Sequence, residues 1–416
     1  MTDDTLILRA LFDAALKAAL PDGKFEGRLP PKPKGRTIVL GAGKASARMA
    51  AAFEDAWATI GGASEGLVVT RYGHAVPTRF IEIVEAAHPV PDEAGLDAAG
   101  RILSLAQEAG PDDLVVCLIS GGASALLSLP VEGVTFADKQ AVNRALLKSG
   151  APIGEMNTVR KSLSAIKGGR LAAAVAPAHL VTYLISDVPG DSPASIGSGP
   201  TIPERIDPEV ALSILGKYGI EVPAHVVQAI RANAVENPVE GGNVHMLATP
   251  KMALDAAADK AREFGVVPLI LGDAIEGEAR EVGRAMAGIA RSARMHKTPA
   301  APPCVLLSGG ETTVTVRGQG RGGRNAEFLL GLALALRGET GMSAIACDTD
   351  GIDGSENNAG AWFDQTMFTA ADEMKLDLYA YLAENDAYSA FERLDRLVVT
   401  GPTLTNVNDF RAILIR

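Results

Sequence analysis

Thr37-Ile-Val-Leu-Gly-Ala-Gly-Lys-Ala-Ser46 is the stretch whose reading decides the fold. Residues 37–40 are apolar enough for a short buried strand. The glycines end it, and a small-residue helical pattern follows. Strand, glycine turn and helix form the opening unit of a parallel sheet covered by helices on both faces. The same logic recurs on either side of this stretch. Strands are predicted at 66–70, 81–84, 114–120 and 180–186, and helices at 92–107, 138–149 and 156–174. An amphipathic helix over 5–20, capped by Asp4 or Thr5 and stopped by Pro21-Asp-Gly23, comes first; a Pro/Lys/Gly-rich linker at 28–35 joins it to the first strand. Helices at 208–215 and 223–234 lead to Asn237-Pro-Val-Glu-Gly-Gly242, which reads as a boundary between domains spanning 1–238 and 239–416. The second half has a more antiparallel flavour. Strands are predicted there at 244–248, 266–271, 304–308, 312–317 and 343–347, with helices at 252–263, 276–296 and from about Asn325.

The chain has 416 residues, enough for two or three domains, with 47% apolar residues, 5% aromatics and 44 glycines. Its core must therefore be built from Ala, Val, Ile and Leu between tight turns. The balance of 39 basic against 50 acidic residues, net −11, argues against a non-specific grip on nucleic acid but leaves room for a small anionic ligand. Cys117, Cys304 and Cys347 lie in apolar runs without CxxC spacing, which suggests reduced core residues of a cytoplasmic protein. The N-terminus lacks a basic leader region, and no apolar run approaches the ~18 residues that would span a membrane.

Parallel sheets bind ligands beyond the carboxyl ends of their strands, so the chemistry is sought there. After the first strand, Gly41-Ala-Gly-Lys44 offers backbone amides and a cation to an anion, or else is a plain turn with a solvated lysine. It is no P-loop, because Ile38 and Ala45 occupy the required Gly and Ser/Thr positions. It is only a partial dinucleotide fingerprint, because Ser46 replaces the third glycine and Thr70-Arg71 stands where an acidic residue is expected. Ser120-Gly121-Gly122-Ala-Ser124 follows the fourth strand and can cradle phosphate. Val115-Val-Cys-Leu-Ile-Ser-Gly-Gly122 is echoed by Cys304-Val-Leu-Leu-Ser-Gly-Gly310, either as two related anion pockets or as two independent turns. Arg160, Lys161, Lys167 and Arg170 suit a polyphosphate or a solvated helix face. Asp187 and Asp191 follow the strand at 180–186 and suit a metal ion, a proton acceptor or an Asx turn. The loop they open runs through Ile196-Gly-Ser-Gly-Pro-Thr201 and is longer than a compact connection requires. Arg317-Gly-Gln-Gly-Arg-Gly-Gly-Arg324-Asn325 can clamp carboxylate or phosphate. Asp348-Thr-Asp350-Gly-Ile-Asp353 fails the calcium-loop spacing and leaves a Mg²⁺ or substrate-hydroxyl role open. His88, before Pro89, is either an acid/base or structural.

Together these blocks resemble the class II glycerate 2-kinase family, the MOFRL-type kinases formerly named hydroxypyruvate reductases. The residues that carry the likeness are Gly41-Ala-Gly-Lys-Ala, His88-Pro-Val-Pro-Asp, Ile119-Ser-Gly-Gly-Ala-Ser-Ala-Leu, Asn157-Thr-Val-Arg-Lys, Ile166-Lys-Gly-Gly-Arg, Ile185-Ser-Asp-Val-Pro-Gly-Asp, Gly197-Ser-Gly-Pro-Thr, Leu307-Ser-Gly-Gly-Glu-Thr-Thr, Gly322-Gly-Arg-Asn, Asp348-Thr-Asp-Gly-Ile-Asp-Gly and Gly401-Pro-Thr-Leu-Thr-Asn-Val-Asn-Asp409. They run in order through nearly the whole chain. The resemblance implies a larger Rossmann-like N-terminal domain and a smaller mixed-sheet MOFRL-type domain, with a cleft between them. It also implies ATP- and Mg²⁺-dependent phosphorylation of D-glycerate at its 2-hydroxyl.

Lys44 and Arg324 are thereby expected to serve catalysis, with Asp187 as a third catalytic group. Ser120, Gly121, Gly122, Ser124, Arg160, Lys161, Lys167, Gly309 and Gly310 are expected at the nucleotide. Asn325 and Asp350 join Lys44 and Arg324 at the substrate, and Asp187 and Asp191 are expected at the metal. The expected partners are glycerate and nucleotide, with no nucleic acid or membrane, and homodimer formation is left open. Two rivals stand: an NAD(P)H-dependent hydroxypyruvate reductase, in which Arg71 would meet an NADP 2′-phosphate, and a non-enzymatic small-anion binding protein.

Overall fold

The computed structural model describes residues 3–416. The chain forms two compact units, one of Pro21–Leu247 and one that joins the segment up to Leu20 to Ala248–Arg416.

The first unit is organised by a six-stranded sheet of β1 (Thr37–Ala42), β2 (Glu65–Arg71), β3 (Ile81–Ala86), β4 (Leu114–Ile119), β5 (His179–Ile185) and β6 (Asn243–Ala248). Its order is β3-β2-β1-β4-β5-β6, the doubly wound order that reverses between β1 and β4. β1 pairs in parallel with both β2 and β4. β2 with β3 and β4 with β5 are parallel as well. Every residue of β1 and β4 is buried, as expected of strands covered on both faces. On one face Ile38, Leu40, Val115 and Cys117 pack with Ala98, Ala99 and Ile102 of the helix Glu93–Gln107. Asp92 caps that helix by accepting from the Gly95 amide at 3.0 Å. A satellite core of Val142, Leu146, Val159, Leu215 and Ile230 joins four helices, Phe136–Ser149, Ile153–Ser162, Pro208–Lys217 and Ala224–Ala232.

The second unit holds a mixed sheet. Its strands are β7 (Val267–Gly272), β9 (Cys304–Gly310), β11 (Met342–Asp348), β12 (Gly360–Phe363), β13 (Leu397–Val398) and β14 (Asp409–Ile415), in the order β13-β12-β11-β14-β9-β7. β14 lies inside the sheet, antiparallel to both β11 and β9, whereas β7 and β9 are parallel. β8 (Gly277–Glu278) and β10 (Thr312–Thr313) form a separate two-stranded patch. The core packs the long helices Ala279–His296 and Arg324–Ala335 on this sheet.

Several details differ from the sequence reading. The helix expected over 156–174 is two helices, Ile153–Ser162 and Arg170–Val175, because Gly168 (φ 60°) and Gly169 (φ 82°) turn the chain left-handed between them. The strand expected at 312–317 has only two residues. Unit limits fall at 20/21 and 247/248 rather than at 238/239. β6 extends the first sheet beyond Asn237–Gly242. The first helix, Asp3–Ala19, packs instead with the second unit: Phe12 lies 5.7 Å from the Phe410 ring, and Thr405 Oγ1 donates to the Ala19 carbonyl at 2.7 Å.

Candidate active site

Two glycine turns meet where the first sheet reverses its order. The turn after β1 and the turn after β4 are bonded to each other: the Lys44 amide donates to the Gly121 carbonyl at 2.8 Å, and the Ala45 amide donates to Ser120 Oγ at 3.0 Å. Ser46 Oγ donates to the Leu118 carbonyl at 2.9 Å and lies 3.2 Å from Ser120 Oγ. Thr70 Oγ1, at the end of β2, donates to the Gly43 carbonyl. Gly43 (φ 137°) lies so close to Ser120 that any side chain there would overlap it. Lys44 and Gly122 are half-buried at this crevice, and Ser120 is fully buried beneath it. The hydroxyls of Ser46, Thr70 and Ser120 thus lock the turns, while the more open Lys44 and Gly122 remain at the surface of the crevice. Such a switch point is the usual ligand position in an open α/β sheet.

A second layer holds the β4 turn. Ser124 Oγ lies 2.5 Å from Ser198 Oγ, in the glycine loop after β5. Gly197, Ser198 and Gly199 are all left-handed (φ 60°, 63° and 57°), a strained run in which Ser198 alone carries a side chain. Lys167 is wholly buried, and its Nζ donates to the carbonyls of Ser124 (2.6 Å) and Leu127 (3.0 Å). Burial pushes its pKa well down, with Lys139 and Arg160 adding to the effect. Asp187 and Asp191 are half-buried in the loop that follows β5.

In the second unit, Arg324 opens the helix Arg324–Ala335 and is gripped by three carboxylates. Nε donates to Asp409 at 2.8 Å, Nη1 to Glu311 at 2.7 Å and Nη2 to Asp348 at 2.9 Å. Burial opposes its charge, but Asp409, Asp348 and Glu311 outweigh that and raise its pKa further. Asn325 Nδ2 donates to the same Asp409 oxygen at 2.8 Å. Asp353 is fully buried and receives the Asn325 and Ala326 amides at 2.9 and 2.8 Å, so it closes the helix start from outside. Its carboxyl is pushed up to about 6 by burial, against which the two amides pull down. Asp409 also pairs with the buried Arg411.

Comparison with known proteins places this arrangement. Residues 7–231 match a family described as a domain of unknown function (DUF4147), and residues 304–409 match the MOFRL family. A D-glycerate 2-kinase of Thermotoga maritima is 42% identical, over 95% of this chain and 94% of that protein. The chain belongs to the MOFRL-type glycerate kinase family. A Thermotoga maritima crystal structure titled glycerate kinase superposes with a TM-score of 0.90 at 39% identity, covering 99% of this chain and 100% of that one. A protein of Agrobacterium vitis, 55% identical over 98% of this chain and 94% of its own length, carries the provisional name hydroxypyruvate reductase.

Within this family member, the expected residues fall into separate groups. Lys44, Ser120, Gly121 and Gly122 come together, with Ser124 on the short helix Ala123–Leu126 directly after them. Arg324, Asn325 and Asp348 come together, and buried Asp350 joins them by donating its amide to Asp348 Oδ1 at 3.0 Å. The basic run disperses. Lys161 pairs with Glu204, and Arg160 Nε reaches Asn143 Oδ1 at 3.4 Å. Arg170 ties down Asn233, and Lys167 is occupied with backbone carbonyls. Gly309 and Gly310 are not a turn at all: they lie within β9, opposite Phe410 and Asp409 of β14. The Ser-Gly-Gly echo therefore joins two different backbone settings. Glu311 and Asp409 lie in two of the blocks that carry the resemblance, but sequence reasoning gave neither as a partner of Arg324, because their contacts with it span 13 and 85 residues.

Proposed function

We propose that the chain catalyses ATP- and Mg²⁺-dependent phosphorylation of D-glycerate at its 2-hydroxyl, giving 2-phospho-D-glycerate and ADP. The observation that carries this reading is the interlocked pair of glycine turns at the sheet's switch point, with Lys44 at its surface. Phosphoryl transfer asks for positioning and charge neutralisation rather than covalent chemistry. Lys44 supplies a cation at the crevice, and the half-buried Gly122 and Ser124 would meet phosphate oxygens there, held in place by the buried Ser120 and Gly121 beneath them. Arg324, Asn325 and Asp350 serve the substrate, with the carboxylate grip keeping the Arg324 guanidinium charged and oriented.

Mg²⁺ usually binds one or two carboxylates together with substrate phosphates. Asp187 and Asp191, four residues apart in one half-buried loop, fit that mode and would hold the ion. Asp348 and Asp409 do not, since Arg324 and Arg411 already compensate them. When bound, the ion offsets phosphate charge.

The reductase reading loses support at the first turn. Ser46 is packed by hydroxyl contacts against β4 where a dinucleotide site needs a third glycine. One coupled assay decides among the readings. ADP release with D-glycerate and ATP, without NAD(P)H oxidation by hydroxypyruvate, is the expected result. Oxidation of NAD(P)H would establish the reductase, and binding without turnover the anion-binding protein. Lys44→Ala should fold normally and lose activity by about a hundredfold or more, as loss of a charge-stabilising donor does. Arg324→Ala should lose at least as much and also lower the urea midpoint, because it leaves the buried Asp348 and Asp409 short of a cation. Wild-type turnover in either would remove that residue from the mechanism.

A further inference from the structure

A methyl group in place of the Gly122 hydrogen would sit 3.2 Å from Lys44 Cγ, 3.2 Å from His88 Cδ2 and 3.3 Å from His88 Nε2. The stem of Lys44 and the imidazole edge of His88 are therefore neighbours across one bare α-carbon. Gly122 is left-handed (φ 84°), so its backbone as well as its crowding selects glycine. The three groups arrive from three loops: Lys44 follows β1, His88 follows β3 and Gly122 follows β4. The loop carrying His88 is tied at its far end. Tyr72 Oη donates to Asp92 at 2.8 Å, and Asp92 caps the next helix. All three are half-buried, the exposure of groups that meet a ligand rather than fill a core.

We infer that His88 is a ligand-touching residue of this turn, donating an imidazole N–H to the same anionic group that Lys44 holds. An imidazole and an ammonium meeting one anion from two sides add direction to charge, which a mobile lysine alone does not give. The anion is a carboxylate or a phosphate, supplied by glycerate or by the nucleotide. This rests on the reading above only in taking the Lys44 turn as an anion site, and it does not require that the bound anion react.

The test titrates D-glycerate and ADP separately into wild type, His88→Ala and His88→Gln by calorimetry. Expected is a loss of about tenfold or more in affinity for at least one of them in His88→Ala, as for a lost hydrogen bond to a charged group, with substantial recovery in His88→Gln, which keeps an N–H donor. The anion affected identifies the source. Wild-type affinity for both anions in His88→Ala overturns the inference, as does an equal loss in both variants. In wild type, the imidazole ¹⁵N resonance missing from His88→Gln should move when one anion is added. A resonance unmoved by both at the highest attainable concentration also overturns it, whether or not the alanine variant folds. If these shifts occur while no ADP is released with glycerate, the kinase reading fails and the His88 assignment stands. If wild type turns over but His88→Ala binds both anions normally, the reverse holds.

Discussion

Asp353 shows how a single buried acid conditions the residue beside it. Its two oxygens accept the amides that begin the Arg324 helix, so it fixes the origin of Arg324. Its pKa is raised from 3.8 to about 6, so between these values the folded protein binds a proton that the unfolded chain has released. The stability from this group is complete below about 4 and is lost as pH rises through about 6. The stability difference between wild type and Asp353→Asn should therefore shrink from pH 4 to pH 6.5, read as urea midpoints. A difference that grows over that window would contradict the cause given for the shift. Lys139 runs by the opposite rule. Burial lowers its pKa to about 7, so its cost is full below 7 and fades as pH climbs toward 10.5, and Lys139→Met should narrow the stability gain of wild type over that range. At this scale the sequence was partly legible. Arg324 and Lys44 sit in glycine-rich motifs that announce themselves. Glu311 and Asp409 lie in blocks of the resemblance too, but their pairing with Arg324 was not legible, because a carboxylate becomes a partner only when segments distant in sequence are laid side by side.

Glycines serve in strands and helix caps as well as in the turns of the site, and the cost of replacing them differs by setting. At Gly310 (φ 115°) a side chain would overlap the backbone of Ile275, whose amide bonds to the Gly309 carbonyl. At Gly150 (φ 72°), the cap of the helix Phe136–Ser149, nothing lies within 4 Å. Gly150→Ala should cost only the left-handed penalty of about 1–2 kcal/mol, and Gly310→Ala roughly 2–4 kcal/mol, because backbone must also move. Equal urea midpoints for the two variants would show that crowding at β9 is relieved cheaply. Element types and order in the first unit were legible because fully buried parallel strands are continuous apolar runs ending in glycine. The single helix drawn through 156–174 failed at Gly168-Gly169, where the helical period survives while the backbone reverses. The Ser-Gly-Gly echo failed for a related reason: three identical residues end a strand in one sheet and continue it in the other.

For the whole molecule, the chain visits one unit, builds the other and returns. The amphipathic pattern of the first helix declares that it has an apolar face but not what that face meets, so the linker after it suggested the wrong affiliation. Deleting residues 1–20 should uncover Phe410 and the strands beside it, at about 1.5–3 kcal/mol for each large side chain exposed. Limited proteolysis of the deleted chain should cut within 248–416 and leave a resistant fragment near 21–247. Equal resistance of both regions would show that the helix contributes little.

β14 follows the other described strands in sequence and lies between β11 and β9. Arg416 beyond it donates to Asp4 in the first helix at 2.9 and 2.7 Å. A ribosome therefore delivers the middle strand of this sheet after both of the strands that flank it. During synthesis the helix Asp3–Ala19 has no finished surface to settle on until the residues around Thr405 and Phe410 have emerged. Pro21–Leu247 can complete its own sheet long before. A chain stopped just before Asp409 would lose an interior strand rather than an edge, leaving β9 and β11 without the partner they share.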